Sequence, residues 1–238
     1  MKRSLLICLV CVFGFNSINA QIEPGITGGI DLTSINLKRE YPSALNIQGT
    51  LGYHIGLDLR LPIVENLNLN TGLLLTKTGF KQILSYPFRS SLAEYDSVIT
   101  FNVSAYNIEV PILLEFKAKF EKMNILFGIG PYVSYGLFGK VNLDIQSLST
   151  DINYSENIRW KPYYEPSEEL GKQLIYQSGY SQIKRLDYGA MIKFGIQFKT
   201  LTINAEYKYG IANRMSAYGL HEKMNNQSLG IGLTYQFK

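Results

Sequence analysis

Cysteine is nearly absent from this chain of 238 residues: there are two, Cys8 and Cys11. Both fall in a stretch with the marks of a secretory leader. Lys2 and Arg3 form a short basic start, Ser4 to Phe15 is mostly apolar, and Ser17-Ile18-Asn19-Ala20 ends on a small residue. That pattern predicts a signal peptide over 1–20, cut between Ala20 and Gln21, with one domain over 21–238. The apolar stretch is shorter than the ~18–20 residues that cross a bilayer as a helix. Leu9-Val10 also lacks the small residues that precede a lipidated cysteine. The mature chain is then expected to hold no thiol, disulfide or thiolate metal site.

Histidine is equally scarce, with His54 and His221 only. No Ser/His/Asp arrangement, glycine-rich phosphate loop or metal-ligand cluster stands at a recognisable spacing. The expectation is no catalytic residue, no cofactor and no metal; a hydrolase built on His54 or His221 is the lesser alternative. Charge excess is lacking too. Of 23 Lys and Arg, Lys2 and Arg3 lie in the leader, so 21 face 19 Asp and Glu. That balance gives no reason to invoke nucleic acid. Long apolar runs are missing from the mature chain, so a membrane could be crossed only by a closed sheet.

What is there is alternation. Tyr106, Ile108, Val110, Ile112, Leu114 and Phe116 form one face of a strand; Asn107, Glu109, Pro111, Leu113, Glu115 and Lys117 form the other. The next segment sets Ile125, Phe127, Ile129, Val133, Tyr135 and Leu137 against Asn124, Gly128, Gly130, Ser134 and Gly136. Similar segments run through Ile47–Arg60, Asp187–Phe198, Leu201–Ile211 and Ser228–Phe237, and more loosely through Ile22–Thr33 and Leu67–Thr78. The apolar face is large and aromatic. The polar face mixes glycine with charges of both signs, which suits a narrow lumen where charges can pair. The aromatic face is therefore assigned to lipid rather than to the dry centre of a soluble barrel.

Connection lengths alternate as well. Pro62–Asn66, Glu121-Lys122 and Lys199-Thr200 are short; Ser34–Asn46, Lys81–Ile99, Gly139–Gln182 and Ala212–Asn226 are long. Short periplasmic turns and long extracellular loops describe an all-β, eight-stranded antiparallel transmembrane barrel in the outer membrane. Such a barrel is filled by side chains and is not expected to conduct. With Lys199-Thr200 as a two-residue turn, Lys193 falls opposite Glu206, both inward, as a cross-strand pair. Asp58, Arg60, Glu109, Glu115, Lys117 and Lys208 are expected to join them in a lumenal polar network, with His54 among Asp58 and Arg60. Pro111 and Pro131 each remove a ladder donor, and a bulge or kink is expected there.

Two of these segments carry a resemblance. Tyr106-Asn107-Ile108-Glu109-Val110-Pro111-Ile112-Leu113-Leu114 and Gly128-Ile129-Gly130-Pro131-Tyr132 resemble consecutive strands of the PorT-like outer-membrane β-barrel family of Bacteroidota. Gly25–Gly29, Glu206–Gly210 and Leu229–Phe237 sit where that family has matching features. The resemblance implies a small outer-membrane barrel, with an accessory part in type IX-like protein secretion as one reading. The closing Tyr235-Gln236-Phe237-Lys238 is similar to the aromatic C-terminal signal read by the barrel assembly machinery.

Function is expected on the outside. Asn157 to Glu165 concentrates Arg159, the single Trp160, Tyr163 and Tyr164. Aromatic and arginine side chains anchor binding surfaces, and they equally pack a loop onto a barrel rim. The sequence thus points to a non-enzymatic scaffold or binding protein acting through its outer loops. Its partners would be outer-membrane lipid, the assembly machinery during insertion, and a protein of the secretion or envelope complexes.

Overall fold

The structure is a computed structural model that describes residues 22–38, 46–90, 93–146, 151–160, 169–215 and 223–237. Its strands are β1 (Glu23–Lys38), β2 (Asn46–Val64), β3 (Leu67–Ser90), β4 (Ala93–Lys119), β5 (Asn124–Gln146), β6 (Asp151–Asn157), β7 (Leu186–Phe198), β8 (Leu201–Gly210) and β9 (Lys223–Gln236). One helix, α1 (Leu170–Ser178), lies between β6 and β7. Every pairing is antiparallel. Because β4 pairs with β5 as well as β3, eight strands close into a ring, and β6 is a ninth strand added to the upper edge of β5.

Closure leaves no ladder edge in hydrocarbon, where an unpaired N–H or C=O costs several kcal/mol. Following Cα partners once round the ring leads from Lys77 through Tyr53, Ile30, Ile231, Ala205, Phe194, Phe127 and Phe116 to Leu67, ten positions lower on β3. This stagger tilts the strands, so a line at constant height climbs about one and a quarter residues per strand. Along that line Tyr53, Tyr106, Tyr135, Tyr188 and Tyr209 fall within roughly a residue's rise of one level, forming the aromatic girdle of a membrane boundary.

Below the girdle the outward set is apolar, as on Ile108, Ile112, Leu114 and Phe116, while Asn107, Glu109 and Glu115 are buried inside. Above it the polarity inverts. On the same β4 parity, Phe101, Val103 and Ala105 are buried inward and Asn102 is exposed outward. The upper barrel thus closes over a core of ordinary soluble character. Phe80, Phe101, Val141, Leu143, Ile158, Ile175, Tyr180, Ile183, Met215 and Met224 pack there together. The Tyr180 ring meets Phe80 and Phe101 edge-on at 5.0 and 5.6 Å, and its hydroxyl donates to Gln82 Oε1.

Four expectations are corrected. Lys81–Ile99 is not a loop but the continued β3–β4 hairpin, paired to Ser90↔Ala93. Gly139–Gln182 contains the top of β5, β6 and α1 rather than free chain. The prolines hold register, from Pro111↔Tyr132 to Leu114↔Ile129. The bulge lies instead at Leu137, between Asn107↔Gly136 and Tyr106↔Phe138. That extra residue takes Leu137 out of the outward row and puts Phe138 in its place, stacked on Tyr106 at 4.5 Å. A strand that changes from lipid to water outside, and from polar to apolar inside, can change phase at the boundary without exposing the wrong face.

Ile129 is 46% exposed on the lipid face near mid-height. Ile129→Lys should cost about 2–4 kcal/mol, read as an earlier urea midpoint for the barrel refolded in phosphatidylcholine vesicles.

Candidate functional site in the lumen and at the rim

Inward residues of the membrane zone build the lumen from both ends of the strands. Lowest, Arg60 on β2 sets Nε 2.6 Å from Glu115 Oε1 on β4 and donates from Nη2 to Oε2 at 3.4 Å. Asn68 Nδ2 donates to the same carboxylate at 3.1 Å, and Glu23 stands 3.8 Å from Nη1. One step up, Asp58 accepts from Asn70 Nδ2 at 3.0 Å and from Gln236 Nε2 at 2.6 Å. Lys193 Nζ reaches it across the lumen at 3.4 Å. Higher still, Lys208 Nζ lies 2.9 Å from Glu109 Oε1 and 3.1 Å from Glu206 Oε1. His54 Nδ1 is 3.0 Å from Asp31 Oδ2 and 3.6 Å from Glu206.

Lys193 and Glu206 are register partners, yet their charges pair elsewhere. Glu206 is met by Lys208 from its own strand, so Lys193 extends to Asp58 on the opposite wall. His54 likewise lies in one row with Asp58 and Arg60 but is engaged by Asp31 and Glu206. Lys117 stands apart from the buried network. It lines the open periplasmic mouth, a space of about 630 Å³ shared with Glu23, Asn124, Gln197 and Gln236. The alternation put Asp187 and Gln236 on the inward face without assigning them to the network, and it did not single out Asp31, Asn68, Asn70 or Tyr132, although each of the six is buried inward. Asp31 sits on the loosely patterned β1, where a charge opposite inward glycines was the available signal.

Asp31, His54 and Glu206 are the group among the described residues whose metal-ligand atoms converge, within 4.8 Å of one another. Lys208 already places an ammonium 3.1 Å from Glu206 there, so the trio is completed as a hydrogen-bonded ion network. Above it a cavity of about 20 Å³ is bounded by Asp31, Thr76, Asn107, Glu109, Asp187 and Ser228. That volume suits one or two waters. Tyr132 and Asn226 donate to Asp187 Oδ2 at 3.5 and 2.8 Å at its upper end, directly under the apolar core.

At the rim, Trp160 packs against the upper core. Its ring covers Gly136, where an added Cβ would fall 2.3 Å from the indole. Arg185 and Arg214 stand 5.8 and 5.9 Å from that ring. Trp160, half-buried, thus fastens the chain after β6 to the barrel. Arg159 sits beside it, 3.9 Å from Glu156. Tyr163, Tyr164 and His221 lie outside the described residues.

Residues 16–215 match the model of the outer membrane protein beta-barrel domain. The chain belongs to that family. Its place is the outer membrane, and its barrel is the ring of eight strands described above. Among solved structures, this barrel is similar to the attachment invasion locus protein Ail of Yersinia pestis. The identity is 13%, the match covers 90% of this chain and 98% of that one, and the TM-score is 0.32. OprG of Pseudomonas aeruginosa is 13% identical over 91% of this chain and 94% of its own, with a TM-score of 0.36. The outer membrane protease OmpT of Escherichia coli is 9% identical over 93% and 99%, with a TM-score of 0.38. No curated protein matches the chain.

Lys208 compensates two buried carboxylates, so Lys208→Met leaves both without their ammonium. The loss is expected to be about 3–5 kcal/mol in equilibrium unfolding, with Lys208→Arg recovering most of it. At the periplasmic turn, the hydrogen bond from Lys119 (Nζ to Glu65 Oε1, 2.9 Å), and then its charge, hold the Glu65 carboxyl below its ordinary 4.5. The stabilisation this gives is complete above pH 4.5 and fades as pH falls through the lowered value. Glu65→Gln should remove that part of the acid-side slope in urea midpoints measured from pH 6 down to pH 3.

Proposed function

We propose that this protein is a non-enzymatic outer-membrane scaffold that presents an ordered extracellular platform to a protein partner. The observation that carries this is the storey above the girdle. The β3–β4 hairpin, the top of β5, β6 and α1 form a continuous sheet and helix over their own apolar core. A lipid-anchored barrel needs no such core to be stable, whereas a rigid display surface does. The helix is seated through Gly171, whose position lies 3.0 Å from the Tyr154 ring when a Cβ is added, and Ile175 is fully buried.

The non-enzymatic reading rests on His54. Asp31 holds its Nδ1 at 3.0 Å, and among the described residues no hydroxyl is hydrogen-bonded to either ring nitrogen, where a nucleophile would meet Nε2. The Tyr106–Leu114 and Gly128–Tyr132 segments support the PorT-like branch of the family, and with it an accessory role in protein secretion as the second reading. The signal peptide over 1–20 and recognition of Tyr235–Phe237 by the assembly machinery belong to the same picture.

Replacing residues 86–97 by Asn-Gly shortens the hairpin while leaving the ring intact. The variant should still give a heat-modifiable barrel band, and crosslinking in intact cells should lose the partner captured by the full chain. Equal recovery of that partner by the shortened barrel would overturn the proposal. Co-purification with secretion machinery distinguishes the second reading.

A further inference from the structure

The outward face changes character at the girdle on the β3–β5 side. Lys77 follows Leu73 and Leu75 on the lipid face of β3, in register with Tyr53 on one side and Tyr106 on the other. Two positions on is Gly79, and two beyond that is Lys81. Gly79 pairs with Ser104 of β4, which pairs with Lys140 of β5. Lys81 and Lys140 therefore share the outward parity of Lys77. Strands lie ~4.8 Å apart and rise ~3.3 Å per residue, so the three Cα atoms stand roughly 12–13 Å from one another. Each ammonium reaches about 6 Å along a flexible stem, and all three can meet over the small floor of Gly79 and Ser104.

That floor lies two residues above the tyrosine level, at headgroup depth. None of the three lysines has an ion pair among the described residues. The first acid further up this face is Asp144, four positions beyond Lys140. The opposite end differs: at the periplasmic turns Lys119 is paired with Glu65, and Glu121 adjoins Lys122. Lys117 and Lys199 also lack an ion pair there among the described residues, but they line the mouth of the barrel. Lys77, Lys81 and Lys140 instead share one outward face, and three cations so grouped match a leaflet bearing negative charge there.

We propose that Lys77, Lys81 and Lys140 form a binding site for the phosphate of an outer-leaflet lipid headgroup, seated over Gly79 and Ser104. The three ammonium groups act as point charges rather than a bidentate fork, so the site selects phosphate charge and not a particular sugar.

The full mature protein in phosphatidylcholine nanodiscs tests this, doped with a bisphosphorylated acylated glucosamine disaccharide or with its dephosphorylated form. Lipid retained on the barrel is counted by native mass spectrometry. The phosphorylated form should be retained at least tenfold more than the dephosphorylated one. Lys77→Gln/Lys81→Gln/Lys140→Gln should abolish that preference, while Lys119→Gln/Lys199→Gln at the periplasmic end should keep it. If the triple variant gives no heat-modifiable band, Lys140→Gln alone, at an exposed position, should lower retention at least threefold. Equal retention of both lipids, an unchanged preference in the lysine variants, or displacement of the lipid by millimolar inorganic phosphate would overturn the assignment.

Discussion

Everything in this molecule depends on the requirement that no backbone donor or acceptor face hydrocarbon unpaired. The ring satisfies it by joining β4 to β5, and the price is an interior. Eight tilted strands enclose a space that side chains must fill, and the outward half of each alternation is committed to lipid. Polarity is therefore pushed inward. Charges placed there must find one another, because they are buried between a periplasmic mouth and a cavity of about 20 Å³ that suits one or two waters.

The lumenal network shows how that is met. Asp58 is approached from three strands, by Asn70, Gln236 and Lys193, and Glu115 from two, by Arg60 and Asn68, while Glu109 and Glu206 share Lys208. Neutral donors share the work with the cations. A buried ion pair is weak support for net stability, since desolvation offsets its attraction. Its firmer effect is geometric, because a one-residue slip of any strand would turn these charges toward lipid. The network and the register specify each other.

Legibility in the sequence followed the same physics. Below the girdle, inside and outside are both one-sided, so the face of nearly every strand could be read, and the turn at Lys199-Thr200 fixed Lys193 opposite Glu206. The partner of Lys193 could not be read, because Asp58 is across the lumen and not across a ladder. Above the girdle the rule reverses. Phe101 and Val103 continue the inward parity of Asn107 and Glu109 but are apolar, while Asn102 continues the outward parity of Ile108. Read with the membrane rule such a stretch has no consistent face, so the strand reads as starting only at Tyr106 and Lys81–Ile99 before it reads as a loop. The bulge at Leu137 hid the same transition on β5, and β6 and α1 have no alternation that points to their site on the barrel.

The inversion of polarity also explains why the single tryptophan lies where it does. At the boundary the inside changes from ion pairs to packed aromatic and aliphatic groups, and neither kind of filling seals against the other. Tyr132 and Trp160 have one apolar surface and one face or edge that tolerates charge. Tyr132 meets Asp187 from below, and Trp160 covers Gly136 while Arg185 and Arg214 stand beside its ring. Gly136 is one residue before the bulge, so the absence of its side chain makes room for the indole where the strand changes phase. The chain leaving β6 is thereby fixed at Trp160 to the membrane half of the barrel, and the described extracellular storey packs directly on the lumenal half.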